Sequence, residues 1–120
     1  MEATIHSNVL KKQMSFEVFG NSMNDGTLYS IITGDILSGV ELPLKNCISE
    51  FKKSNIFVIA NTAGRLFVTE IHDYIEETNE IICHIRNSST GNNYFNLKID
   101  SIERIYSIEA IARSFEKDHY

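Results

Sequence analysis

From Ser15 onward the chain is written in short runs of β-branched and aromatic residues separated by turn formers, the pattern of a mainly β domain of short antiparallel strands and hairpins. Residues 16–19 and 35–40 predict the first two strands. Residues 56–60, Ile-Phe-Val-Ile-Ala, form an unbroken apolar run, which predicts a strand buried on both faces. Asn61-Thr62-Ala63-Gly64 reads as a tight hairpin turn, with the glycine free to take a positive φ. Its partner strand covers residues 65–71, and residues 80–85 form the next arm after the acidic turn 76–79. In residues 94–99 apolar and polar positions alternate strictly, which places Phe95, Leu97 and Ile99 on the inward face. Residues 102–115 predict one or two closing strands, around 105–108 and 110–112. Residues 23–32 read as a short helical or turn segment. In residues 44–54, Leu44, Cys47, Ile48 and Phe51 recur at helical spacing, which predicts a short amphipathic helix or else a long β-loop. Residues 1–14 keep neither period and read as an arm or linker remnant. The polar end, 116–120, reads as frayed, and 113–120 as a C-terminal tail, which leaves 15–112 as the folded domain.

With 120 residues, 42% of them hydrophobic, the chain is long enough for one self-sufficient core. A net charge of −5 argues against this piece gripping a phosphate backbone, since that affinity comes from clustered Lys and Arg. No apolar run approaches the length needed to span a bilayer as a helix. Cys47 and Cys83 lack metal-ligand or CxxC spacing and read as small core residues in a reducing cytoplasm. His6, His72, His84 and His119 are scattered, so no metal and no cofactor is expected.

The segment with most chemical content is Phe19-Gly20-Asn21-Ser22-Met23-Asn24-Asp25-Gly26, followed by Gly34-Asp35. A strand ends at a glycine, and a serine follows where the backbone turns. This resembles the nucleophile segment of the LexA and phage-repressor family of self-cleaving serine peptidases. The likeness extends over residues 16–112, through the apolar strand ending at Ala60 and its hairpin. It implies Ser22 in the nucleophile position and a cleft formed by Gly20, Asn21, Met23 and Asp35. It also implies homodimerisation through the last strand, at Ile105, Ile108 and Ile111.

Active members of that family need a neutral lysine on the second arm of the hairpin to take the serine proton. Here the matching position holds Thr69, or Glu70 one residue further on. A threonine hydroxyl is too weak a base near neutral pH, and a glutamate charge would oppose the forming oxyanion. Ser22 is therefore expected to cap the turn, Met23 to plug the core and Asp35 to anchor its loop through backbone hydrogen bonds. Ala63-Gly64, a pair of the type the family cleaves, falls in a hairpin turn.

The expectation that follows is a regulatory and dimerisation domain of a repressor-like, helix-turn-helix transcription regulator without peptidase activity. Such a domain would meet DNA only through an upstream domain. Two alternatives stand beside it. One is a self-cleaving peptidase with a base supplied by an unexpected lysine. The other is a peptide-binding module that uses the cleft, lined by the Ser22 corner and the polar loop 87–93.

Overall fold

The structure is a computed structural model that describes residues 13–20, 23, 24, 26, 30–44, 48, 51, 56–87 and 91–113. Its elements are β1 (Gln13–Glu17), β2 (Ile36–Leu42), β3 (Phe57–Asn61), β4 (Leu66–Ile75), β5 (Glu80–His84), β6 (Tyr94–Lys98), a 3-10 turn (Ile99–Ser101) and β7 (Ile102–Ala112). The fold is mainly β, and its seven strands lie in the order β1-β2-β7-β3-β4-β5-β6, every neighbouring pair antiparallel.

The chain enters β3, β4, β5 and β6 as a meander in which each strand pairs with the next. The first turn follows from its residues. The Asn61 side-chain oxygen accepts the amides of Ala63 and Arg65 at 3.0 and 2.9 Å, and Gly64 takes a φ of +85° that a residue with a Cβ would resist. Ala63-Gly64 thus belongs to the turn. At the β4–β5 turn, Asn79 adopts a φ of +54° and its side chain accepts the Tyr74 hydroxyl at 2.7 Å. β4 runs to Ile75, four residues past the expected arm, because a bulge at His72 lets it bend and stay paired with β5.

β7 is one continuous strand of eleven residues, not two, and it is inserted between β2 and β3. It alone joins the meander to β1 and β2 in the sheet. Gln13 and Met14, expected in the arm, belong to β1, where Val40 and Gly39 of β2 stand opposite them. Backbone pairing sets that boundary, so the side-chain period could not announce it. The predicted helix at 44–54 falls mostly outside the described residues. In residues 23–32 the described positions form no helix.

The core splits into two clusters on the two faces of the central strands. Phe51, Phe57, Ile59, Ile81, Cys83, Ile102 and Ile105 form the first, and Val18, Met23, Ile31, Leu37, Ile56, Val58 and Tyr106 the second. β3 serves both, Phe57 and Ile59 facing one cluster and Val58 the other, which accounts for its unbroken apolar run. Edge-to-face rings close each cluster: Phe51 on Phe57 at 5.7 Å and Phe16 on Tyr106 at 4.9 Å. Phe95, Leu97 and Ile99 are half-buried and pack on the first cluster, as their alternation predicts. Gly39 is fixed by contact. A Cβ there would stand 2.7 Å from the Ser107 carbonyl oxygen and 2.8 Å from Ile108 Cδ1.

Candidate apolar groove beside the glycine corner

After Glu17 the chain leaves the sheet and runs along residues 30–35. The Val18 amide donates to the Asp35 carbonyl and the Gly34 amide to the Val18 carbonyl, both at 2.9 Å. Gly20, at a φ of +95°, is held by Thr33, whose hydroxyl accepts the Gly20 amide at 2.9 Å and donates to the Gly20 carbonyl at 3.0 Å. The Ile31 amide donates to the Met23 carbonyl at 3.1 Å, and Met23 itself is buried in the second cluster, the core role expected of it.

Between this corner and the start of β4 lies a groove of about 490 Å³, within the usual range for ligand sites. Phe16, Val18, Phe19 and Met23 form one wall, Leu66, Val68, Ile85 and Phe95 the other. Phe19 is 79% exposed and Leu66 59%, so the rims are apolar and face solvent. Glu17 is the single charged residue among the described lining positions, which include no lysine and no histidine.

Of the cleft residues implied by the family likeness, Gly20 and Met23 line the groove. Ser22 and Asn21 lie outside the described residues. Asp35 does not line it. That carboxylate is fully buried, accepts the Ile32 amide at 3.0 Å, and is gripped by Arg113 through Nε at 2.7 Å and Nη2 at 2.9 Å. The Arg113 hydrogen bonds hold its pKa below the ordinary carboxylate range against the opposing effect of burial. Arg113, expected in the tail 113–120, is therefore part of the fold.

Thr69 is also away from the groove. It stands opposite Phe57, on the first-cluster face, fully buried, with its hydroxyl donating within reach of the Glu70 and His84 carbonyls at 2.9 and 3.0 Å. Its neighbour Val68 stands opposite Val58 on the second-cluster face, the face that carries Met23. Glu70 follows on that face and is occupied by two partners, His84 Nδ1 at 2.8 Å and Arg86 Nη2 at 3.0 Å. Burial pushes the Glu70 pKa up, but the hydrogen bonds from His84 and Arg86 outweigh it and leave it lowered. None of these three side chains lines the groove. Burial likewise raises the Cys83 thiol to about 12, so it is an inert core residue near neutral pH. Lys98 is exposed on β6 opposite Glu80, and the other lysines lie outside the described residues.

The proposed dimer residues separate. Ile105 is fully buried in the first cluster and offers no surface to a partner, which removes it from that role. Its position at the centre of the sheet, opposite Ile59, is the reason. Ile108 is half-buried against the second cluster, and Ile111 is 48% exposed. The polar loop 87–93 contributes none of its described residues to the groove. Sequence reasoning missed the opposite wall, Leu66, Ile85 and Phe95, because nothing in their spacing marks an exposed apolar rim.

Among the described residues no group of three or more His, Cys, Asp or Glu is placed to hold a metal, and no helix is long and apolar enough to cross a membrane. No protein-family model matches the chain, and neither the curated proteins nor the solved structures yield a significant match.

Proposed function

We propose that this chain is the regulatory and dimerisation domain of a cytoplasmic, repressor-like transcription regulator, related in plan to the LexA and phage-repressor peptidases, that holds an extended apolar segment without cutting it. The observation that carries this reading is the groove itself. It adjoins the glycine corner that bears the serine in sequence, yet its described lining is almost wholly apolar and supplies no amine or imidazole to take a proton. An extended peptide whose alternate side chains are apolar would lay one face on Phe19, Leu66 and Val68. DNA contact would belong to an upstream helix-turn-helix unit, since the net charge of −5 suits no phosphate grip.

Pairing of two copies is supported by an apolar patch at the open end of the second-cluster face. The register sets Met14 opposite Gly39, Gly39 opposite Ile108, and Leu37 opposite Ile111, so these side chains share a face. Met14 and Ile111 are each 48% exposed there. A two-fold contact between such patches would align two upstream units on a two-fold DNA site.

Three experiments test the reading. Sedimentation equilibrium is expected to give a dimer, with Ile111→Glu shifting it to monomer at unchanged circular dichroism. A monomer at high concentration removes the dimerisation role. Titration with a capped hexapeptide of alternating valine and serine is expected to shift the NMR signals of Phe19, Leu66 and Val68. Incubation at alkaline pH is expected to release no fragment, and a fragment abolished by Ser22→Ala would establish the peptidase reading instead.

A further inference from the structure

Among the described residues the glycine corner has no strand partner. Every backbone tie described for residues 18–23 runs to residues 31–35: Val18 with Gly34 and Asp35, Gly20 with Thr33, Met23 with Ile31. Beyond the packing of Val18 and Met23 in the second cluster, the backbone of the corner hangs on that second segment, and the second segment is held at both ends by one side chain. Arg113 donates from Nε and Nη2 to the buried Asp35 carboxylate at 2.7 and 2.9 Å, and Nη2 also reaches the Ser30 carbonyl at 3.0 Å. Arg113 directly follows β7, the strand fixed between β2 and β3 in the middle of the sheet.

We infer that Arg113 is the positioning residue of the groove: it clamps residues 30–35 to the end of β7, and through them sets the wall formed by Val18, Gly20 and Met23. The arrangement makes one guanidinium at the C-terminal end of the domain a control point for a binding surface it does not touch. Removing it leaves the Asp35 carboxylate buried without its cation, a state relieved by taking up a proton or by letting water in, and either change undoes the tie that holds the 30–35 segment to the end of β7. The planar fork matters as well. It meets both carboxylate oxygens and a carbonyl at once, and a lysine ammonium cannot reproduce that geometry. The consequence for ligand binding rests on the groove reading given above, whereas the clamp itself stands on the geometry alone.

Amide hydrogen exchange by NMR tests the clamp. In Arg113→Ala the amides of Val18, Ile31 and Gly34 are expected to exchange at least tenfold faster, while those of Val58, Ile81 and Cys83 stay within about twofold of the wild type. Arg113→Lys is expected to fall between the two. If Arg113→Ala does not fold, Asp35→Asn, which keeps an acceptor for the Ile32 amide and removes the charge, serves for the same comparison. Equal acceleration in both sets of amides, or none in either, overturns the proposal. The valine–serine hexapeptide then tests the link to binding, with at least a fivefold loss of affinity expected in Arg113→Lys. Unchanged affinity beside a loosened corner overturns that link. A wild type that binds no peptide counts against the groove reading, and the exchange ratio still decides the clamp.

Discussion

The meander of β3 to β6 and the corner region of β1, β2 and residues 18–35 are made of similar residues but are held together at very different ranges along the chain. In the meander, Glu70 and His84 meet across 14 residues and each strand pairs with the next one along the chain. In the corner region, Asp35 meets Arg113 across 78 residues, and β2 pairs with β7, which follows the whole meander along the chain. Closing the longer loop costs more chain entropy before any contact repays it, so the corner depends on a few strong, specific ties. The comparison teaches that the groove lies on a seam. One wall belongs to the locally built half, and the other is hung from Arg113, just past the end of β7.

The largest expected effect that would break this division is Thr69→Lys. A peptidase missing only its base would gain cleavage, but here the ammonium would enter the first cluster beside Phe57. The expected outcome is a loss of about 3–5 kcal/mol in denaturant unfolding and no cleavage. Phe57→Ala should cost a similar amount, about 3–5 kcal/mol, and unfold both regions together, since β3 supplies both clusters. Gly39→Val should cost about 1–3 kcal/mol through its contact with the Ser107 carbonyl, and amide exchange should locate the damage in β1 and β2.

Acid sharpens the comparison further. The Asp35 carboxyl has a folded pKa below its unfolded value, so it binds protons less readily when folded. Its stabilisation is fully present above the unfolded value near 4 and is lost as pH falls through the lowered folded value. Corner amides should therefore lose protection in acid before those of the meander, and in Asp35→Asn, where the corner is loose at every pH, that acid step should disappear. The smallest effect belongs to Glu70→Gln, expected to cost no more than about 1 kcal/mol, because the Glu70 pairs with His84 and Arg86 are partly open to solvent.

The chain's own pattern was a good guide where structure is local. The apolar run at 56–60, the Asn61–Gly64 turn and the alternation at 94–99 each carry enough short-range information to specify a strand or a turn. Met23 in the core and Asp35 at a loop anchor were legible too, since buried side chains of those kinds have few other uses. The opposite orientations of Thr69 and Glu70 were not, because a one-residue slip of register exchanges the two faces and sequence alone left both choices open. Nor was the burial of Ile105. An isoleucine in a closing strand looks the same at a sheet's edge as at its centre.

What the sequence determined by itself, then, is a mainly β domain with a meander, two apolar faces and a glycine corner, because turn chemistry and side-chain alternation act over a few residues. What only the tertiary structure decided is where β7 inserts, which face each β4 residue takes, and that Arg113 holds the corner. Those outcomes depend on which distant backbone groups and charges find one another, and no spacing along the chain encodes that choice.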